Sequence, residues 1–183
     1  SVFATNFTLI LYHIIESIAI GNINAHKIHV NTHLFHDNYI FRARLVSLGW
    51  THCISGVACG FDTWVAEKIL QRQKENKKIT LECVIPFPGQ ADSWEKADQK
   101  RRYNILTAAD KAVITSEQYN EGVFTRNRYM VDNADVVVCA FNGKSGGTAY
   151  TVDYALKQNK IVIQIDPETS EVSMLSKRSF ESV

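Results

Sequence analysis

The sequence predicts an α/β fold: a three-layer, doubly wound domain with a mainly parallel sheet. From residue 50 onward, short runs rich in β-branched residues alternate with stretches of helical period, the pattern of strand–helix–strand units. One run, Val136–Cys139, is apolar at every position, as expected of a central strand covered on both faces. Apolar residues make up 45% of the 183 and charged residues 21%, so the chain can bury a core and lacks the composition of a disordered protein.

Five strands are predicted from short runs of β-type residues, and they are His52–Ser55, Ile79–Ile85, Ala112–Thr115, Asp135–Phe141 and Ile161–Ile165. Pro86 and Pro88 follow the second run, where the ladder needs no backbone donor. Each run is short enough for a strand of a compact domain, which favours strands over buried helices.

Amphipathic helices are predicted between these strands. We expect the first to begin with a cap at Asp62 or Thr63. The second follows Asp92 and Ser93, and the last carries its apolar residues over Ala149–Leu156. Strands and helices therefore alternate through this part of the chain.

The first third of the chain is harder to interpret. Phe7–Ile20 fits a helix or a buried strand with its turn, and Lys27–Asn31 resembles a short strand. Asp37 is a plausible cap for a helix that runs up to Gly49.

No internal repeat, linker or low-complexity tract divides the chain, so one domain over residues 1–183 is predicted. It comprises a divergent N-terminal part (1–49), a core (50–167) and a polar tail (168–183). We expect the tail to form a short helix or a loosely held end.

Charge and cysteine content restrict the function classes. The formal net charge is +1, from 20 basic and 19 acidic side chains, which argues against a dedicated duplex-DNA binder. The four cysteines form no C-x-x-C pair. The longest apolar stretch is interrupted by His13 and Glu16 and lacks a basic leader. These features predict a cytoplasmic, thiol-reduced protein without a membrane partner.

Two glycine-bearing loops are candidates for binding an anion. Ser55–Asp62 and Asn142–Thr148 each follow a predicted strand and open a predicted helix, whose first N–H groups lack intrahelical acceptors. Lys144 could add a point charge to the second loop. Neither loop is a Walker A motif or a G-x-G-x-x-G fingerprint, so a plain structural turn remains the alternative for each.

Two further groups of residues are candidates for binding an anion or a metal. A guanidinium in the segment Thr125–Met130, such as that of Arg126, could pair with a phosphate. The alternative is that Arg126 and Arg128 simply solvate a helix face. The closely spaced histidines at 26, 29, 33 and 36 could hold zinc or nickel, but no cysteine or carboxylate set accompanies them apart from Asp37. No metal is therefore assigned.

Four strings of the sequence resemble the YpsA-like proteins: ISGVACGFDTWVAEKIL, VIPFPGQADSW, TRNRYMVDNADVVVCAFNGKSGGTAYTVDYA and IVIQIDP. That family belongs to the SLOG superfamily of Rossmann-like domains, which also includes DprA and the LOG phosphoribohydrolases. The resemblance covers residues 50–167 and implies a bacterial or phage protein. It also implies a nucleotide-type ligand, similar to ADP-ribose or NAD, bound across the C-terminal ends of the strands.

Carried over by position, the resemblance implies a set of ligand-binding residues from both loops, the end of the second strand and the helix before the second loop. They are Ser55, Gly56, Gly60, Asp62, Pro86, Phe87, Arg126, Asn127, Gly143, Ser145, Gly146, Gly147 and Thr148. Among them, Gly143–Thr148 is expected to form the phosphate cradle.

The chain departs from the family in two respects. The T-G-H-R-P-like string that usually ends the first strand is missing, and the segment most similar to it is Val30–His33. LOG hydrolases carry a glutamate three residues after the threonine of the glycine loop, a position occupied here by Thr151. The nearest acid, Asp153, lies two residues further on, about 200° around a helix and hence on its opposite face.

These observations lead us to predict a sensor or binding protein for a nucleotide or nucleotide-derived small molecule, with no further cofactor. One alternative is a nucleotide N-glycosidic or phosphoester hydrolase with Asp62 as the catalytic acid. Another is DprA-like single-stranded DNA binding, which the near-neutral charge disfavours. A homo-oligomer, as a dimer, is expected because related domains often pair through helices.

Overall fold

A computed structural model defines residues 51–117, 119–169 and 172–175. Gly49–Asn133 forms one compact unit, and the described residues from Ala134 onward belong to a second; each unit is described by itself. Residues 1–50 lie outside the described residues. This part of the chain includes the elements predicted there, the four clustered histidines and the segment Val30–His33.

The first unit alternates strands with helices: β1 (His52–Ser55), α1 (Phe61–Glu75), β2 (Thr80–Ile85), α2 (Lys96–Ala108), β3 (Lys111–Ile114) and α3 (Tyr119–Asp132). Its strands are parallel and lie in the order β1-β2-β3. Cys53 pairs with Leu81, and Cys83 pairs with Ala112. Parallel strands require crossover helices, which explains why each strand is followed by one.

One face of β2 forms the centre of this unit's core. Its side chains alternate between the two faces of the sheet, so Leu81, Cys83 and Ile85 lie on the same face. They pack with three buried residues from the first loop, α1 and α2, which are Val57, Ala66 and Ile105. Full burial of a leucine or isoleucine side chain contributes about 1.5–3 kcal/mol, which makes this layer the main source of stability for the unit.

The opposite face of β2 carries a buried carboxylate. The Glu82 side chain is only 5% exposed. Its Oε1 accepts a hydrogen bond from the Tyr129 hydroxyl at 2.8 Å and lies 3.0 Å from Lys111 Nζ, while Oε2 lies 3.1 Å from His52 Nε2. Burial by itself would raise the pKa of Glu82, but these partners outweigh it and hold the pKa below its ordinary value. Glu82 therefore joins β2 to β1, β3 and α3.

The second unit contains β4 (Val136–Ala140), α4 (Gly147–Lys157), β5 (Ile161–Ile165) and β6 (Val172–Leu175). β4 and β5 are parallel, and β6 pairs with β5 in the antiparallel direction. In the part of the chain that the structure describes, β5 rather than β4 is therefore the middle strand of this sheet. Val162 and Ile163 of β5 are fully buried, as is Ala155 of α4.

The prediction of a short helix or a loosely held end for the tail is wrong at Val172–Leu175, which form a strand. The cause lies in the preceding turn, where Asp166 Oδ1 accepts hydrogen bonds from the N–H groups of Glu168 at 2.7 Å and Thr169 at 3.0 Å. This turn reverses the chain after β5, so that Met174 pairs with Ile163.

The α/β class and the mainly parallel strand pairing of a Rossmann-like fold are confirmed. β1 and β5 have the predicted bounds, and the other predicted strands differ by a residue at one or both ends. α2 begins later than expected, at Lys96, because Asp92 and Trp94 close backbone turns instead. None of the described helices is long and apolar enough to cross a membrane. The single domain over residues 1–183 stays a prediction.

We expect Glu82→Gln to lower the free energy of unfolding at pH 7 by about 2 kcal/mol, because hydrogen bonds to a charged group are lost. The pKa of Glu82 is lower in the folded than in the unfolded protein. The ionised carboxylate therefore stabilises the fold at a pH above its unfolded pKa, and this stabilisation is lost as the pH falls through the folded pKa. Urea unfolding at pH 7 and pH 4 should therefore show a smaller wild-type–variant difference at pH 4. Glu67→Gln is the control, since Glu67 forms an exposed pair with Arg101 and should cost less than about 1 kcal/mol.

Candidate functional site

The loop between β4 and α4 is open to solvent. Every residue from Gly143 to Thr148 is exposed. Gly143 and Gly146 have φ values of 83° and 152°, which side-chain-bearing residues rarely adopt. A Cβ built on Gly147 would meet nothing within 4 Å, so the main chain can be approached closely from outside.

The helix that follows this loop begins with unused backbone donors. Gly146 is the N-cap of α4, and no side chain caps the helix. The first helical hydrogen bond runs from Tyr150 N–H to Gly146 O at 3.1 Å, so the N–H groups of Gly147, Thr148 and Ala149 lack intrahelical acceptors. No acidic residue lies in the first turn. The positive end of the helix dipole is therefore free to attract an anion.

The Lys144 charge is partly compensated. Its Nζ lies 3.2 Å from Glu168 Oε1, to which Asn142 Nδ2 also donates at 3.1 Å. Asn142 Oδ1 in turn accepts from Lys144 N–H at 3.3 Å, which shapes the turn. The Lys144 and Glu168 side chains are 77% and 67% exposed, and such surface pairs open at little cost.

The first turns of α4 carry no carboxylate suited to acid–base chemistry. Thr151, which stands at the LOG glutamate position, donates its hydroxyl to Gly147 O at 2.8 Å. Asp153 forms an exposed ion pair with Lys157 at 2.6 Å, one turn further along the same helix. Asp153 is thus bound to a lysine of its own helix and does not replace the missing glutamate.

In the first unit, the loop after β1 is folded onto its own side chains. The Ser55 hydroxyl accepts a hydrogen bond from Val57 N–H at 3.2 Å and donates one to Asp62 O at 3.1 Å. Val57, which is fully buried, has a φ of 42°, a conformation that a β-branched residue adopts only under strong constraint. Side-chain hydrogen bonds and a buried left-handed residue therefore shape this loop.

Arg126 of α3 reaches this loop. It is 7% exposed, and its Nη1 donates a hydrogen bond to Gly56 O at 2.7 Å and lies 3.8 Å from Asp62 Oδ2. A Cβ at Gly56 would collide with Arg126 Nη1 and lie 2.8 Å from Asp62 Oδ2. The alternative that Arg126 only solvates a helix face is therefore wrong.

Asp62 does not cap α1, contrary to the expectation from the sequence. The N-cap is Gly60, at a φ of 96°, and Thr63 donates its hydroxyl to Gly60 O instead of accepting a bond. The Asp62 Oδ2 atom accepts a hydrogen bond from Ala58 N–H at 3.4 Å. Burial raises the pKa of Asp62, although the Arg126 charge and the Ala58 N–H oppose this, and burial also lowers the pKa of Arg126.

The residues after β2 pack against α3. Pro86 is fully buried and Phe87 is half-buried, and Asn127 of α3 is 6% exposed. The closest approach is made by Gly122, where a Cβ would lie 2.7 Å from Pro86 O. Gly122 was missed in the sequence because it lies in a helix rather than in a glycine-rich loop.

The structure thus brings Ser55, Gly56, Asp62 and Arg126 into one cluster in the first unit. The loop Gly143–Thr148 belongs to the second unit and is described separately. Within the described ranges, no group of three or more His, Cys, Asp or Glu residues is arranged to hold a metal ion.

Comparison with known families and proteins gives consistent matches. A family model for YpsA, described as the YspA SLOG family, matches residues 29–168. A UPF0398 protein of Halalkalibacterium halodurans is 27% identical over 105 residues, which cover 55% of this chain and 56% of the relative. The SPbeta prophage-derived protein YoqJ of Bacillus subtilis is 29% identical over 119 residues, covering 57% and 68%. A UPF0398 protein of Brevibacillus brevis is 24% identical over 92 residues. The chain thus spans about half the length of the two UPF0398 relatives, 56% of the Halalkalibacterium protein and 49% of the Brevibacillus protein.

We expect Gly56→Ala to lower the free energy of unfolding by about 1–3 kcal/mol, because the new methyl group displaces Arg126 from a buried hydrogen bond. Gly147→Ala is the matched control, since its methyl group enters open space in the first turn of a helix. Thermal unfolding followed by circular dichroism compares the two variants. Equal melting temperatures would show that the loop can make room at Gly56.

Proposed function

The chain belongs to the YpsA family of SLOG proteins, and from that membership we propose that it binds a nucleotide or nucleotide-derived small molecule through a phosphate group. ADP-ribose-like and NAD-like molecules are the candidates that the family resemblance suggests. The proposal describes a sensor or binding protein rather than an enzyme.

A single observation carries the proposal: the exposed loop Gly143–Thr148 precedes a helix of eleven residues whose first N–H groups are uncapped. A phosphate satisfies several backbone donors at once and is attracted by the positive end of the helix dipole. The hydroxyl groups of Ser145 and Thr148 lie in the same exposed segment and can add donors.

Lys144 supports the same proposal. Its pair with Glu168 is exposed and therefore weak, so the ammonium group can turn to a phosphate without a large loss. Because such contacts are screened by salt, binding should weaken as ionic strength rises.

The chemistry of α4 favours binding over hydrolysis. Thr151 replaces the glutamate of the LOG hydrolases, and its hydroxyl bonds to the helix backbone. A general acid or base needs a titratable group near the reacting atoms, and the first turn of α4 contains no acidic residue. The Asp153 carboxylate, in the next turn, is paired with Lys157.

A nucleotide hydrolase is the second candidate because of Asp62. Its raised pKa and the nearby Arg126 charge are features of catalytic carboxylates. Incubation with ADP-ribose, NAD and AMP, followed by chromatography, tests this reading. Turnover that persists in Asp62→Ala would remove Asp62 as the catalytic acid.

We expect calorimetric titration of the folded protein to detect binding of at least one of ADP-ribose, NAD and AMP, and no comparable binding of adenosine. The absence of a binding heat for all three phosphorylated molecules would contradict the proposal.

We expect Thr148→Glu to weaken that binding by at least about tenfold, because a carboxylate in the first turn of α4 repels the phosphate and competes for the same donors. The same change should leave the free energy of unfolding unaltered or raise it by about 0.3–1 kcal/mol, since an acid is favourable near a helix N-terminus. Thr148→Gln is the isosteric control without the charge. Undiminished binding by Thr148→Glu would exclude this loop as the phosphate site.

A further inference from the structure

We propose that, within the first unit, the carboxylate of Asp62 stands in for a phosphate group: it occupies donors of Arg126 and Ala58 until a phosphate oxygen takes them over. This inference rests on the proposed function, since it takes phosphate as the ligand chemistry. It adds an exchange of anions within the loop after β1.

The first step of the argument is the unused capacity of Arg126. Its Nη1 donates to Gly56 O, but its Nε is buried and has no acceptor among the described residues. A buried N–H group of a cation without an acceptor is costly, and protein interiors rarely contain one. The Arg126 guanidinium is therefore incompletely paired, which favours an additional anionic partner.

The second step is the loose fit of Asp62. Its Oδ2 lies 3.8 Å from Arg126 Nη1 and 3.4 Å from Ala58 N, both longer than a good charge-assisted hydrogen bond. A phosphate has more oxygens and more charge than a carboxylate, so it can satisfy Arg126 Nη1 and Ala58 N–H better than Asp62 does. The burial that raises the pKa of Asp62 likewise indicates that the loop stabilises this carboxylate incompletely.

The third step is that Asp62 can leave without unfolding the loop. The Asp62 side chain is 32% exposed, so the carboxylate has a route to solvent. The Asp62 backbone is held independently, because Ser55 Oγ donates to Asp62 O. Rotation of one side chain is therefore enough to uncover the donors.

The Arg126 guanidinium remains in place during this exchange. Its hydrogen bond to the Gly56 carbonyl does not involve Asp62, and Gly56 has no side chain to push it away. The site is thus preorganised on the cationic side and changes only on the anionic side.

A catalytic or ribose-binding role for Asp62 makes the opposite prediction. If Asp62 contacted the ligand, its removal would weaken binding. If Asp62 competes with the ligand, its removal strengthens binding of anions and leaves uncharged molecules unaffected.

The test compares the wild-type protein with Asp62→Asn and Glu75→Gln by calorimetric titration with inorganic pyrophosphate, ADP-ribose and adenosine. We expect Asp62→Asn to bind both anions about tenfold more tightly, since a like charge near the ligand is removed. Glu75→Gln removes the same charge from the exposed far end of α1, and we expect its affinity to stay within about twofold of wild type. Binding of adenosine should be equally weak in all three.

Folding and site occupancy are checked separately. Thermal unfolding shows whether Asp62→Asn is folded, and Asp62→Ala provides a second variant with the same expected gain. Titration of Asp62→Asn with pyrophosphate should also shift an NMR resonance of the Arg126 guanidinium, because its Nη1 gains an anionic acceptor. A resonance that does not move while pyrophosphate binds would overturn the inference.

The outcomes separate the two proposals. If wild type binds ADP-ribose but folded Asp62→Asn binds pyrophosphate no more tightly than wild type does, the exchange is wrong and the proposed function stands. If Asp62→Asn gains pyrophosphate binding while no variant binds a nucleotide, the exchange stands and the proposed function fails. If folded Asp62→Asn binds neither anion, the proposed exchange is wrong.

Discussion

The loop after β1 depends on one buried cation. Arg126 on α3 donates to the carbonyl of Gly56, 70 residues earlier in the chain, and thereby fastens the helix to the loop after β1. A guanidinium in the protein interior needs acceptors, which Gly56 O and Asp62 supply. The same contact leaves no room for a side chain at residue 56. The hydrogen bond to Gly56 lies next to Val57, the residue with the left-handed conformation.

The two glycine-bearing loops use similar residues for opposite purposes. After β1, the N–H groups of Val57 and Ala58 are taken by Ser55 and Asp62. After β4, the loop is exposed and the first N–H groups of α4 are uncapped. A glycine-rich turn between strand and helix is therefore not one kind of site. Whether nearby oxygen-bearing side chains fold back onto the turn decides how much of it remains for a ligand.

Local patterns predicted the strands and the glycine loops well, because β-branched runs and positive-φ glycines act through their own backbone. The expected cap at Asp62 failed because the competing partner, Arg126, lies 64 positions away in sequence, a contact that no local pattern contains. Gly122 was missed for the same reason, since its constraint is the distant Pro86 carbonyl. β6 was missed because the tail was assigned from its polar composition, and that composition does not reveal the pairing of β6 with β5.

The buried Glu82 has a consequence for how this sequence can vary. Its carboxylate is satisfied jointly by His52, Lys111 and Tyr129, from β1, β3 and α3. Losing one partner leaves a charge in the interior, whereas exchanging the whole set for well-packed apolar residues can be tolerated. These four positions should therefore change together across homologous chains or not at all, so that the middle strand of the sheet constrains the evolution of its neighbours.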